Sequence, residues 1–151
     1  LNTQLTQLEL NGKFISGLFF RIKPSGEMLY CSGGHFPAVI LRRNTREPEL
    51  FGEGGIPMGW FADPPEPYSQ ITTRLNPGDR VYVFTDGLAE WEAPGGAYFG
   101  SERLVRYLNE HREASLDTVL EDLVKHVREV CGGLPCGDDV TIFGFEYKGL
   151  S

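Results

Sequence analysis

Basic residues are scarce in this sequence, and their scarcity excludes one class of partner. The 151 residues contain 14 Lys and Arg against 21 Asp and Glu, which gives a formal net charge of −7. A protein that binds nucleic acid needs a basic surface to neutralise the phosphates. We therefore expect no nucleic-acid partner, and the acidity favours a divalent cation instead.

Cysteine is also rare, and long apolar runs are missing. Cys31, Cys131 and Cys136 form an odd, scattered set in a chain without a signal-peptide pattern, which predicts reduced thiols in the cytoplasm rather than a disulfide framework. Zinc at Cys131 and Cys136 is disfavoured, because no second Cys/His pair completes four ligands. No apolar segment approaches the roughly 20 residues that cross a bilayer, so we expect no membrane insertion of this domain.

The remaining composition is that of an ordinary globular protein, with 40% hydrophobic and 12% aromatic residues, and it predicts one domain over residues 1–151. Strand-like patterns occupy most of the first half, two amphipathic helices follow, and a strand closes the chain. This order predicts an α+β fold of antiparallel sheets with helices on an outer face. The predicted strands cover residues 14–22, 28–31, 38–42, 68–75, 81–84 and 140–147; the helices start near Ser101 and after Ser115, and residues 1–10 end a further helix.

Two acidic sites adjoin apolar runs of this pattern. The run 81–84 ends in Thr85-Asp86-Gly87, where glycine permits a tight turn that directs the Asp86 carboxylate into a cleft. Asp-Gly is also a common turn former without further function. The second site, Asp138-Asp139, stands just before the run 142–145. Two acidic sites at strand edges suggest one shared cleft.

Carboxylates gathered in one cleft need a cation. Two of them repel by about 4 kcal/mol at about 4 Å with an effective dielectric constant near 20, and a metal ion offsets that cost. Neither Cys nor His is adjacent to the three aspartates. An oxygen-rich ligand set of this kind favours Mg²⁺ or Mn²⁺ over Zn²⁺.

Two glycine-containing loops also attract attention. His35, in the loop 32–37 (SGGHFP), either holds that loop through hydrogen bonds or contacts a phosphate or a metal-bound water. The loop 52–59 (GEGGIPMG) lacks the Lys and Ser/Thr of a nucleotide P-loop, so we interpret it as structural.

Four short motifs, in their order and spacing, resemble the bacterial SpoIIE-like branch of the metal-dependent protein phosphatases, the PPM family. They are residues 32–37 (SGGHFP), 77–79 (PGD), 84–90 (FTDGLAE) and 138–141 (DDVT). The resemblance runs along essentially the whole chain, as the C-terminal portion of the family's domain. It implies part of an αββα sandwich and a phosphoserine/phosphothreonine phosphatase with a two-metal Mn²⁺ or Mg²⁺ centre.

The resemblance also implies roles for particular residues. Asp86 and Asp138 are direct metal ligands at the catalytic centre, where water activated by the metals attacks phosphorus in line. Asp139 belongs to the metal-binding set and, with Thr141, orients it, while Gly87 and His35 support the site. No protein nucleophile is required, and neither Gly-x-Ser-x-Gly nor a Cys-based catalytic motif is present.

By the same resemblance, the substrate is a phosphoprotein, such as a serine-phosphorylated anti-sigma-factor antagonist. The protein acts in bacterial cytoplasmic signalling, carries an attached regulatory domain and forms a possible homodimer.

Two alternatives remain open. Nothing before Asn11-Gly12 matches the upstream Asp-Gly segment that supplies the family's bridging metal ligand. The chain is therefore expected to lack the N-terminal segment of the domain and to be inactive by itself, and a catalytically silent binding or dimerisation module fits the same sequence. A sugar- or nucleotide-binding β-sandwich with a structural Ca²⁺ is the third reading.

Overall fold

In a computed structural model, which describes residues 1–8, 12–52, 54–66 and 68–149, the chain forms two antiparallel β-sheets and a layer of helices. The predicted α+β class is confirmed. The strands are β1 (Gly17–Ile22), β2 (Glu27–Gly33), β3 (Ala38–Leu41), β4 (Glu49–Phe51), β5 (Gln70–Arg74), β6 (Arg80–Phe84) and β7 (Ile142–Glu146). The helices are α1 (Asn2–Thr6), α2 (Asp86–Ala89), α3 (Ser101–Glu110) and α4 (Leu116–Val130). The strand orders are β1-β2-β5 in one sheet and β4-β3-β6-β7 in the other.

The central strands β3 and β6 are buried on both faces, which explains why each is a continuous apolar run. Successive side chains of a strand point to opposite faces. Ile40 and Val81 lie in the core between the sheets, together with Met28 and Tyr30 of β2. Their neighbours on the other face form the second core, against the helices: Val39, Leu41, Tyr82 and Phe84.

Helix α4 covers this second face of the four-stranded sheet, as its apolar spacing predicts. The Thr118 N–H donates to Ser115 Oγ at 3.2 Å, so Ser115 is the N-cap that the sequence indicated. Val119, Leu123 and Val127 recur at helical spacing and are fully buried. The helix is followed by Gly132 with φ of 68°, a left-handed conformation that glycine adopts without strain.

The structure differs from the sequence prediction in the closing strand. The density of β-branched and aromatic residues over 140–147 predicted a central strand, and this is wrong: within the described residues, β7 lies at the edge of its sheet. Phe143 is consequently 49% exposed. Composition indicated burial here, but the neighbours of a strand are set by chain topology, and aromatic residues also suit an edge.

Element boundaries account for the other differences. The first long strand begins at Gly17 rather than residue 14, because Ile15 pairs only with Met58 in an isolated bridge. The short strand β4 was not predicted, and it pairs with β3 through Glu49. Helix α1 agrees with the predicted helix end, although residues 9 and 10 lie outside the described residues.

Among the helices that the structure describes, none has the length and apolar character needed to cross a membrane.

Candidate functional site

Three chain segments meet at one end of the four-stranded sheet. In the antiparallel pairing of β6 with β7, Phe84 is opposite Ile142, so the end of β6 lies beside the start of β7. The pairing of β3 with β6 puts the start of β3 at the same end. This end therefore gathers Asp86, the segment 138–141 and the loop that contains His35.

Gly87 brings the two acidic segments into direct contact. A Cβ at this position would lie 2.6 Å from the Asp139 carbonyl oxygen and 3.3 Å from the Asp138 Cβ. Any side chain would push the segments apart, so the need for glycine here comes from close approach. The predicted proximity of Asp86 to the Asp138-Asp139 pair thus has a specific basis in the backbone.

A threonine that sequence reasoning missed fastens these segments together. Thr85 Oγ1 donates to the Asp139 carbonyl at 2.9 Å, and the Thr141 N–H donates to Thr85 Oγ1 at 2.9 Å. The Thr85 N–H also donates to the Thr141 carbonyl at 3.0 Å. Thr141, predicted to orient the metal-binding set, enters this network through its backbone. We call these three hydrogen bonds the Thr85 clamp; the only sequence signal was a hydroxyl residue directly before Asp-Gly.

Cys136 is a second residue at the site that was not predicted there. Its Sγ donates to the Gly87 carbonyl at 3.3 Å, whereas Cys131 Sγ donates to the Trp91 carbonyl at 3.4 Å. Burial raises the pKa of the Cys131 thiol. Both are free thiols bound to separate carbonyls, which is consistent with the reduced cysteines expected from the sequence.

The carboxylates of the site face solvent. Asp86, Asp138 and Asp139 are all exposed, and the ion pairs found among the described residues include none of them. Exposed carboxylates outside these ion pairs suit a hard divalent cation. Within the described ranges, however, no group of three or more His, Cys, Asp or Glu is arranged to hold a metal ion. These residues fit part of a coordination shell.

The other predicted residues take structural positions in this arrangement. His35 Nδ1 lies 3.0 Å from the Phe36 carbonyl and its backbone N–H donates to Ser32 Oγ at 3.3 Å, so the ring is held within its own loop. Phe36 packs on Phe84 with ring centroids 4.8 Å apart, which fixes that loop beside the site. Asp79, in the second motif, is buried at the opposite end of β6 and accepts from Arg42.

Solved structures with a similar fold define the class of fold, that of a PP2C-type phosphatase domain. The RsbU and RsbW domains of Rv1364c from Mycobacterium tuberculosis superpose with a TM-score of 0.79 at 19% identity, covering 99% of this chain and 40% of that chain. The phosphatase domain of the cell fate determinant SpoIIE from Bacillus subtilis, presoaked with Mn, gives a TM-score of 0.68 at 14% identity, covering 90% and 58%. At such identities the likeness concerns the fold alone.

Sequence comparison assigns the chain to a family. The family model described as Stage II sporulation protein E (SpoIIE) matches residues 1–148, and the chain belongs to this family. It is also 26% identical over 121 residues to Protein IcfG of Synechocystis sp. (strain ATCC 27184 / PCC 6803 / Kazusa), covering 78% of this chain and 18% of that protein. The resemblance identified from the four motifs is confirmed. The chain spans less than two thirds of each of these relatives.

Proposed function

We propose that this protein is a metal-dependent phosphatase that hydrolyses phosphoserine or phosphothreonine on a regulatory protein. Membership of a phosphatase family supports phosphate-ester hydrolysis in signalling. The observation that carries the proposal is the close approach at Gly87, which unites Asp86 with Asp138 and Asp139 at an exposed edge. The solved SpoIIE phosphatase domain was presoaked with Mn, which supports Mn²⁺ or Mg²⁺ as the cofactor.

In this proposal Asp86 and Asp138 hold the metal, and Asp139 adjusts the position of Asp138. The Asp139 N–H donates to Asp138 Oδ1 at 2.7 Å, which orients this carboxylate, and the other oxygen has no hydrogen bond within the described part of the chain. Divalent cations at such a centre neutralise phosphoryl oxygens and lower the pKa of water. The chain's own contribution is to hold carboxylates at fixed separation through Gly87 and the Thr85 clamp, with His35 supporting the neighbouring loop.

The substrate and the cellular setting form a further part of the proposal. We infer a phosphoprotein substrate of the anti-sigma-factor-antagonist type in a bacterial cytoplasm, with regulation by an attached domain and possible homodimerisation. The RsbU and RsbW domains of Rv1364c lie in one solved protein, which supports a regulatory pathway with linked domains. The single phosphatase domain over residues 1–151, with further parts in the full-length protein, belongs to the same proposal.

The direct test measures phosphate release by the full-length natural protein from a phosphoserine protein, with Mn²⁺, with Mg²⁺ and with EDTA. We expect turnover with either metal and none with EDTA. A protein that binds the phosphoprotein without turnover under all three conditions would be a silent binding module, the alternative favoured by the incomplete ligand group among the described residues. Binding of Ca²⁺ in preference to Mn²⁺ would favour the β-sandwich reading.

A further inference from the structure

A cavity of about 190 Å³ lies at the opposite end of the four-stranded sheet from Asp86. Its wall comes from the end of β3, the start of β6, the end of β7 and the connection between α3 and α4, and four arginines line it: Arg42, Arg43, Arg80 and Arg112. β6 alone separates it from the acidic site by roughly 15 Å. The cavity thus concentrates four arginines in a chain whose net charge is −7.

Two of these arginines are neutralised by neighbouring carboxylates. Arg42 Nη1 lies 3.1 Å from Asp79 Oδ2, and its Nη2 lies 2.8 Å from Glu49 Oε2. Arg80 Nε lies 3.0 Å from Glu146 Oε2, and the pKa of Glu146 is lowered by its hydrogen bonds with Lys148 and Arg80. Arg42 and Arg80 therefore line the cavity, and their positive charges are balanced by these carboxylates.

Arg112 has hydrogen-bond donors that lack an acceptor among the described residues. Its Nη1 donates to the Thr45 carbonyl at 2.5 Å, and its own carbonyl accepts from Arg80 Nη1 at 2.8 Å. Its Nε and Nη2 are buried and have no hydrogen-bond partner in the part of the chain that the structure describes. Buried guanidinium donors without an acceptor are costly, because they lose water and gain nothing in return. An acceptor that enters the cavity would remove that cost.

Arg43 supplies the second free charge. Its backbone N–H donates to Asp79 Oδ1 at 2.9 Å, which fixes its Cα, and its side chain passes over Gly78, where a Cβ would lie 2.6 Å from Arg43 Cδ. Its guanidinium enters no ion pair found among the described residues. Glu113 is the one carboxylate at the cavity that none of those ion pairs includes, so two free positive charges oppose one negative charge.

We propose that this cavity, which we call the Arg43–Arg112 pocket, binds a small free tetrahedral oxyanion of the phosphate class. Paired guanidinium nitrogens match the oxygens of such an anion, and the two free positive charges outweigh the repulsion from Glu113. The volume suits one such ion and is small for a nucleotide, since pockets for larger ligands start near about 300 Å³. The inference is independent of the proposed function, because it uses no residue of the acidic site.

The test is calorimetric titration of the 151-residue protein with sodium phosphate, in EDTA and at constant ionic strength. We expect one saturable phosphate per chain, displaced by sulfate but not by acetate. Titration with free phosphoserine separates a free anion from a phosphomonoester: we expect phosphoserine to bind at least fivefold more weakly. Tighter binding of phosphoserine, or no saturable binding of phosphate, would overturn the proposal.

Variants locate the site. Arg43→Gln and Arg112→Gln should each weaken phosphate binding about tenfold. In the wild type, titration with phosphate should shift the NMR signals of the backbone amides of Thr45 and Glu113. Arg21→Gln is the matched control, since it removes the same charge from an exposed position on β1, in the other sheet. An equal loss of phosphate affinity in Arg21→Gln would mean that the effect comes from net charge alone, and it would refute the pocket. If Arg112→Gln fails to fold, Arg43→Gln decides, because that side chain is exposed.

Discussion

Residue 87 of this phosphatase-family chain is a glycine, whose side chain is a single hydrogen atom. This small size allows the two acidic segments to approach each other closely. The space that a Cβ would need is occupied by the Asp139 carbonyl oxygen, 2.6 Å away. At the same edge, Asp138 receives a hydrogen bond from the Asp139 N–H, so its orientation depends on that backbone. The geometry of the site thus depends on single residues, and each of them can be tested by substitution.

Asp86→Asn should abolish Mn²⁺-dependent phosphatase activity of the full-length protein, with a loss of more than roughly tenfold, because an amide is a poor ligand for a hard dication. Without metal, the melting temperature should be unchanged or slightly higher, since one of several clustered charges is removed. Phosphate release and thermal melting in EDTA measure the two effects. Asp63→Asn, an exposed acid in a surface loop, is the control. Activity like the wild type in Asp86→Asn would remove this residue from the metal site.

Asp138→Asn should cost more activity than Asp139→Asn. In the proposed arrangement Asp138 binds the metal directly, whereas Asp139 contributes through its backbone N–H and carbonyl, which an amide side chain leaves in place. The measurement is kcat for both variants at saturating Mn²⁺. The reverse order would exchange the roles of the two neighbouring aspartates.

Gly87→Ala should lower the free energy of unfolding by about 1–3 kcal/mol and lower the affinity for Mn²⁺, because the new methyl group displaces the Asp139 carbonyl. Gly137→Ala is the matched control: it lies beside the same segment, and a Cβ there meets no described atom within 4 Å. Urea unfolding and metal titration of both variants provide the comparison. Equal effects of the two substitutions would mean that close approach at Gly87 is not what joins the segments.

At the scale of elements, the site is a junction between the end of β6 and the start of β7. The ladder pairs Phe84 with Ile142, and beyond it the Thr85 clamp continues the contact to Asp139 and Thr141. The two strands are joined in sequence only through α2, α3, α4 and their connections. The clamp is thus a long-range contact that fixes where the segment 138–141 leaves the sheet.

Thr85→Val should lower both stability, by about 1–3 kcal/mol, and metal affinity, because the isosteric methyl group can neither donate to the Asp139 carbonyl nor accept from the Thr141 N–H. Thr141→Val is an equally small change of shape at the other threonine of the clamp. The described hydrogen bonds of Thr141 use its backbone and not its side chain. We expect Thr141→Val to be much milder in urea unfolding and in Mn²⁺ titration. A larger effect at Thr141 would return the orienting role to its side chain, as the sequence-based hypothesis had it.

At the scale of the whole molecule, a sandwich of two sheets carries a helix layer on the four-stranded sheet. Helix α4 and the strands β3 and β6 make this half well buried, with Val39, Val127 and Leu104 inaccessible to solvent. On the three-stranded sheet Phe19 is 54% exposed. The candidate metal ligands lie at the edge of the buried half: β6, which leads to Asp86, is largely buried, whereas the carboxylates themselves are exposed.

The 151-residue protein should bind Mn²⁺ only weakly and be inactive by itself, because two contributing carboxylates give few charge-assisted contacts to a dication. We expect a millimolar rather than micromolar Kd, a difference of roughly 4 kcal/mol. Calorimetric titration beside the full-length natural protein, with phosphate release from a phosphoserine peptide, measures this. Tight binding of two Mn²⁺ and turnover by the 151-residue protein would contradict the prediction; Glu90 would then be examined first as a ligand.

Much of the fold was predictable because its signals are local. The apolar run 81–84, the helical spacing of Val119, Leu123 and Val127, and the Ser115 cap each follow from a short stretch of chain. The position of β7 at an edge and the pairing of β4 with β3 were not predictable, since strand order depends on contacts between distant segments. The same reason hid the roles of Thr85 and Cys136, whose partners are about fifty residues away in sequence.

The sequence by itself determined the family, the α+β class and the candidate ligands Asp86, Asp138 and Asp139, because motif order, periodicity and residue chemistry are properties of the linear chain. Only the tertiary structure decided that Gly87 is required by close approach, that Thr85 clamps the two acidic segments, and that Asp79 is a buried partner of Arg42. It also brought Arg43 and Arg112 to one cavity. Each of these depends on which atoms become neighbours when distant segments pack, and packing is fixed by the summed burial and hydrogen bonding of the whole chain.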